Sequence, residues 1–168
     1  ASNILNHKGL ALQMLNEKGI DTPVGGIEYN EREALILFER MEWGTAGGGI
    51  FLPYSASGKG LYRFNTIEEF IHILQQPDVQ YHLMPGTLKS LISPSTSPIG
   101  IRISKWFSPE EIISEAGVVL HVSPQKTTLW SMSEQITSEN SYEGSIWDQE
   151  SPVWNQDITP LLSAVSQL

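Results

Sequence analysis

The stretch "IFLPYSASGKGLYRF", residues 50–64, most narrows what this chain can fold into. Two short apolar runs, "IFLP" and "LYRF", flank the loop "SASGKG", whose small residues carry one lysine. The pattern reads as two antiparallel strands joined by a Gly/Ser hairpin. It is not a Walker A motif, because the GxxxxGK(S/T) frame is absent and Gly60 leads into a strand instead of a helix. Small side chains would let backbone N–H groups approach an anion, with the hydroxyls and Lys59 adding donors and charge. A plain hairpin turn has the same composition, and the stretch alone does not choose between the two.

Helical signals surround this hairpin. "NHKGLALQMLNEKGI" predicts a helix capped by Asn6, with Leu10, Met14 and Leu15 as its apolar stripe and Gly19 at its end. "DTPVGG" is a turn and "GIEY" a short strand. Asn30 and Glu33 stand in capping-box spacing ahead of "REALILFERMEW", whose Ala34, Leu37, Phe38 and Met41 share a face, and "GTAGGG" breaks that helix. Thr66 and Glu69 repeat the spacing before "IEEFIHILQQ", and "YHLM" is expected as a further strand. These elements predict an α+β fold with a first lobe over residues 1–86.

The second half differs. "SLISPSTSPIG" reads as a linker and "GIRIS" as a strand. Ser108 and Pro109 suit the start of a short helix, "PEEIIS". "GVVLHV" and "TTLWSM" predict a hairpin around "SPQK". "TSENSYEGSIWDQESPVWNQ" is expected as an ordered surface loop, and "DITPLLSAVSQL" as a final helix. Residues 87–168 are therefore expected as a second lobe with antiparallel strands and a C-terminal helix, which the resemblance below implies is only part of a larger lobe.

Composition excludes several function classes. The 168 residues have a formal charge of −9, with Lys and Arg scattered, which disfavours nucleic acid and anionic membrane surfaces as partners. No apolar run approaches the roughly 20 residues of a membrane span. No secretory signal is visible, and the absence of cysteine fits a cytoplasmic chain and removes disulfides and thiolate metal sites. His7, His72, His82 and His121 lack metal-ligand spacing and are expected at or near the surface. No GxSxG elbow occurs. The pairs Glu68–Glu69 and Glu110–Glu111 sit in first helical turns, where the helix dipole favours them without any catalytic role. Asp148 and Glu150 lie on a loop among aromatics, with a solvated loop as the plain reading. Trp130, Trp147 and Trp154 fall in one segment, suited either to stacking on a ligand or protein partner or to burial in the second lobe.

Taken in order, "NHKGLALQMLNEKGIDTPVGG", a helix, then "GGGIFLPYSASGKGLYRFNTIEEFIHIL" resembles the opening of ATP-grasp ligases. The later "SPIGIRI", "GVVLHVS" and "SEQITSENSYEGSIW" are similar in order to relatives acting on peptides or amino acids. The resemblance covers most of the chain through short motifs. It implies a small lobe with a glycine-rich loop, and ATP with Mg2+ as cofactors. The implied activity is ATP-dependent ligation of a carboxylate to an amine on an amino acid or peptide. Ser55, Ser57, Gly58, Lys59 and Gly60 would then close over the β- and γ-phosphates. Lys8 is a further match that a solvated side chain would also explain. Gln135, Tyr142 and Gly144 would lie on the acceptor or nucleotide side of the large lobe. The departures are specific. Leu52 or Pro53 stands where the family has a phosphate-binding lysine, no acidic hinge residue follows near "YHLMPG", and the E-x-N segment that carries the family's metal ligands toward the end of its large lobe has no counterpart in residues 87–168. The resemblance therefore implies either part of a longer enzyme or a non-catalytic nucleotide- or protein-binding module, and no metal ligand is assigned.

Overall fold

The computed structural model describes residues 7–55, 59–83, 100–108, 112, 115–123, 125–138, 141–147 and 150–166. Contacts divide the chain into two units, Ala1–Gln13 with Thr22–Ser108, and Met14–Asp21 with Pro109–Leu168.

The first unit is built on a four-stranded sheet. Its elements are the first part of α1 (Lys8–Glu17, whose residues from Met14 on fall in the second unit), β1 (Gly25–Glu28), α2 (Glu31–Arg40), β2 (Gly48–Phe51), β3 (Leu61–Phe64), α3 (Ile67–Leu74), α4 (Pro77–Leu83) and β4 (Ile101–Lys105). The strand order is β1-β4-β2-β3 and every pair is antiparallel. Two strand–helix–strand crossovers therefore interlock. β1 and β2 run parallel with β4 between them, and β3 and β4 run parallel with β2 between them.

The N-cap half of both predicted capping boxes forms. Asn30 Oδ1 accepts from Glu33 N at 2.9 Å, and Thr66 Oγ1 accepts from Glu69 N at 3.2 Å. These caps set where α2 and α3 begin, so their apolar faces meet one side of the sheet. There Ala34, Ile50, Phe64, Phe70, Leu74, Val79, Ile101 and Ile103 are buried in one cluster. Phe38 and Phe64 each lie within 5 Å of Phe70 between ring centroids, at 4.7 and 4.9 Å, and Trp43 meets Phe64 edge-on at 4.9 Å. Burial of each such ring stabilises the fold by roughly 1.5–3 kcal/mol.

Two expectations fail here. "YHLM" is not a strand, since Tyr81 to Leu83 complete α4. Pro77 opens that helix, and Val79 and Leu83, four residues apart, are both buried. "GTAGGG" is more than a breaker, because Gly48 and Gly49 are the first residues of β2. A Cβ on Gly48 would lie 2.4 Å from Phe64 Cζ and 2.7 Å from Trp43 Cζ3, so the missing side chain is what lets the aromatic cluster close on the strand.

The second unit carries a three-stranded antiparallel sheet, β5 (Ala116–Val122), β6 (Thr127–Ser138) and β7 (Ser141–Ile146), in the order β5-β6-β7. A 3-10 turn (Pro152–Asn155) and α5 (Thr159–Ser166) follow, and both pack on β6. Met132 and Val153 are buried. Ser151 Oγ accepts from Val153 N and donates to Glu134 Oε2 at 2.5 Å, joining turn to strand. The expected surface loop from Thr137 to Gln156 is thus largely a strand hairpin and a turn. Its polar composition hid the ladder, which depends on backbone groups and tolerates polar side chains on its faces. The expected linker "SLISPSTSPI" and the start of "PEEIIS" lie outside the described residues, as does Asn6. No helix among the described residues is long and apolar enough to cross a membrane.

Candidate functional site

The β2–β3 loop is fixed at its root. Leu52 N donates to Gly60 O at 2.8 Å, closing the ring of backbone where β3 begins. Gly60 has φ +70°, and a Cβ there would lie 2.7 Å from Ser55 Cβ and 3.0 Å from Leu52 Cβ. Both the backbone conformation and the crowding require glycine. Leu52 and Pro53 are buried, so the position where the resemblance expects a strand lysine is part of the packing.

The charge at this root comes from another element. Lys8, the first residue of α1, donates from Nζ to Ser55 Oγ at 2.8 Å, and Ser55 Oγ in turn donates to Leu52 O at 3.1 Å. The Lys8 amide donates to Pro53 O at 3.0 Å, pinning α1 to the loop a second time. His7, only 2% exposed, caps α1 by accepting from Leu10 N at Nδ1 (3.2 Å), and its ring meets Tyr54 edge-on at 5.5 Å. The expected surface histidine is therefore an interior cap. Burial holds the Lys8 ammonium below the ordinary lysine pKa, which marks a partly dehydrated cation. Among the described residues no carboxylate pairs with it. A cation, a hydroxyl and a glycine thus stand in fixed geometry beneath the loop, an arrangement suited to receiving an anion.

Of the loop residues predicted from sequence, Ser55 and Gly60 are brought together at the root and Lys59 is exposed beside them. Ser57 and Gly58 lie outside the described residues. In the second unit, Gln135 lies on β6 opposite Ser145 of β7, Tyr142 is opposite Thr137, and Gly144 is opposite Ile136. The three share one hairpin, with Glu143 as an unpaired bulge residue. Gly144 has open space where a side chain would be, and Gln135 Nε2 fills the place of the missing Cβ of Gly117. Gln135 and Gly144 stand on opposite faces of the sheet, one residue apart in the ladder, so they do not converge.

Sequence reasoning underweighted Lys8. The available signal was its place at N1 of a helix with no acidic residue in the first turn. A cation there opposes the helix dipole, so tertiary contacts have to hold it. Trp130 and Trp147 are 78% and 63% exposed, which removes them from any buried core. Trp130 is itself a bulge residue, lying between the pairs Val119–Ser131 and Leu120–Leu129.

No protein-family model matches the sequence, and no curated protein matches it significantly. Solved structures do match in fold. The N5-carboxyaminoimidazole synthetase from Staphylococcus aureus, complexed with ADP, superposes with a TM-score of 0.71 at 10% identity, over 98% of this chain and 38% of that one. An ADP complex of N5-carboxyaminoimidazole ribonucleotide synthetase superposes with a TM-score of 0.63 at 11% identity, over 96% of this chain and 37% of that one. The fold is a partial ATP-grasp fold, the class to which these two ligases belong. The chain spans less than two fifths of the length of either enzyme.

Proposed function

We propose that this chain binds the phosphates of ATP at the β2–β3 loop. Within a complete enzyme it would serve ATP-dependent carboxylate–amine ligation on an amino acid or peptide. The observation that carries the reading is the relay from Lys8 through Ser55 to the Leu52 carbonyl, set beneath a glycine-bearing loop in an ATP-grasp fold. In it, the Lys8 and Lys59 ammonium groups and the Ser55 hydroxyl offset charge on the outer phosphates, and the loop residues Ser57 and Gly58 complete the cover. When ATP is bound it supplies the phosphoryl group that activates the carboxylate. Mg2+ is a different matter. Among the described residues no three His, Asp or Glu side chains gather to hold a metal ion, so none of them is assigned to Mg2+. Gln135, Tyr142 and Gly144 are proposed for the acceptor side, and the cytoplasm as the location.

The test is calorimetric titration of the purified chain with a non-hydrolysable ATP analogue, with and without Mg2+, repeated on Lys59→Ala. The reading expects saturable binding that weakens in the variant while its circular dichroism is unchanged. An equal Kd for both proteins removes Lys59 from the site, and no binding to either removes the nucleotide. A second reading, a protein-binding module, is favoured by the exposure of Trp130 and Trp147. It expects that replacing both tryptophans by serine abolishes partner binding and leaves the nucleotide titration unaltered.

A further inference from the structure

The sheet of the second unit has two edge strands, β5 and β7. β7 is blunted, because Glu143 bulges out of its ladder as a charged, unpaired residue. β5 is not. Its sequence, "AGVVLHV", has no proline, lysine, arginine or carboxylate. The bulge beside it, at Trp130, belongs to β6, so β5 itself runs without interruption. Val119 and Val122 on it are 47% and 56% exposed. Among the described residues no strand pairs with its outer side. Glu115 O accepts from Gln135 N at 2.7 Å, and Ser123 N donates to Lys126 O at 2.9 Å, so both ends of β5 turn these groups toward β6. Alternation turns Gly117, Val119 and His121 to β6 as well. It leaves the amides and carbonyls of Ala116, Val118, Leu120 and Val122 facing outward, a template for another strand.

A second copy of β5 fits this template. Antiparallel pairing about a two-fold axis at Val119 sets Val118 opposite Leu120, and Ala116 opposite Val122, of the second copy. That register uses every outward amide and carbonyl, and both cross-strand pairs are apolar. Val119 meets Val119 on the axis as a close, non-hydrogen-bonded pair. Glu115 falls opposite Ser123, whose own partner across the hairpin is Lys126. Glu115 of one copy and Lys126 of the other thus occupy neighbouring positions on one face, and the symmetry makes this contact twice. Opposite charges meet at both ends of a strand that is otherwise neutral. A self-contact elsewhere would have the chain's net charge of −9 against it.

We propose that β5 is a self-association edge, through which two copies of this chain join antiparallel into one continuous sheet. Backbone hydrogen bonds supply the attachment, Val119 fixes the axis, and the Glu115–Lys126 contacts fix register and direction. The edge lies in the second unit and acts whether or not a nucleotide is bound.

The experiment is sedimentation equilibrium of the wild-type chain over a roughly hundredfold range of concentration, beside Val119→Lys, Glu115→Lys and the double exchange Glu115→Lys with Lys126→Glu. The wild type is expected to form a reversible dimer. Val119→Lys sets two ammonium groups face to face on the axis and should abolish it. Glu115→Lys should raise the dimer Kd about tenfold, and adding Lys126→Glu should restore it. A wild type that stays monomeric overturns the proposal and leaves the edge to a different partner. A dimer that survives Val119→Lys, or that the charge exchange fails to restore, overturns it too. Amide hydrogen exchange of the wild type reads the register without any variant. The Ala116, Val118, Leu120 and Val122 amides should be protected about tenfold or more at high concentration relative to low, while Gly117, Val119 and His121 stay as they are. A change shared by both sets, or by neither, overturns the proposal.

Discussion

Gly60→Ala tests whether the loop root is as rigid as its geometry requires. The residue sits at φ +70°, where a Cβ costs about 1–2 kcal/mol. The new methyl carbon would lie 2.7 Å from Ser55 Cβ, 2.9 Å from Ser55 Oγ and 3.0 Å from Leu52 Cβ, against ordinary contacts near 3.5–4.0 Å. Two of those three atoms are fixed by backbone, so a side-chain rotation cannot relieve them. The loop has to widen, at the expense of the Leu52 N–Gly60 O bond and the Ser55 Oγ–Leu52 O bond, each contributing about 0.5–1.5 kcal/mol. Reduced freedom of the unfolded chain returns about 0.4–1 kcal/mol. The expected net loss is about 2–3 kcal/mol. Gly44→Ala is the internal control, because Gly44 has φ +66° in the same unit and nothing within 4 Å of an added Cβ. It carries the backbone strain without the crowding, so its loss is about 1 kcal/mol or less. Urea denaturation followed by tryptophan fluorescence measures both. Equal midpoint shifts for the two variants would refute the crowding argument and with it the claim that Ser55 is held in place by Gly60.

Other perturbations read other parts of the structure. Phe70→Ala removes the ring at the centre of the Phe38–Phe64–Trp43 cluster and should cost about 3–5 kcal/mol by denaturant titration; a cost below 1 kcal/mol would mean the cluster is not the core. Tyr62 donates to the Asp78 carboxylate, and chiefly this hydrogen bond pushes its pKa from 10.0 up to about 12. A raised pKa means stabilisation present in full below pH 10 and lost as pH rises toward 12, so Tyr62→Phe should lower Tm at pH 8 by an amount that shrinks above pH 10. A deficit independent of pH would exclude the hydrogen bond as its cause. Glu28 is raised above its ordinary 4.5 by burial and then by the neighbouring Glu33, so its charged form disfavours folding. Glu28→Gln should therefore melt higher at pH 7, with the advantage fading as pH falls toward 4.5 and gone below it; a lower Tm at pH 7 would show that the carboxylate has a partner.

The helices and the hairpin were legible because their signals are local. Asn30–Glu33 and Thr66–Glu69 name their own caps, and "LYRF" alternates within four residues, so β3 falls where the sequence places it. Apart from α4, whose start at Pro77 was a local signal, what failed depended on partners distant in sequence. Gly48 and Gly49 read as a break until Phe64 and Trp43 are brought against them, and only the packed cluster shows why a strand there has no side chains. The second half of β6 and all of β7 were hidden because a ladder between two polar segments leaves no apolar alternation to read. His7 and Lys8 were misjudged for a related reason. Their environment is the loop at Pro53 to Ser55, roughly half a hundred residues on, and no local pattern announces it.

The same distinction governs the proposed phosphate site. Read along the chain, Leu52 in place of a lysine argues that the loop has lost its charge. Read in the fold, a charge is present but is delivered by α1 at Lys8. A binding site needs cations at points in space, and different elements can bring a side chain to one point. A loop that had become only a turn would have no reason to keep a partly dehydrated ammonium beneath it. Lys8→Met discriminates the two. If the loop is only a turn, the variant loses a surface-edge hydrogen bond and melts within about 1 kcal/mol of the wild type, with no effect on phosphate affinity. If the cation has moved, tripolyphosphate affinity falls while adenosine affinity does not.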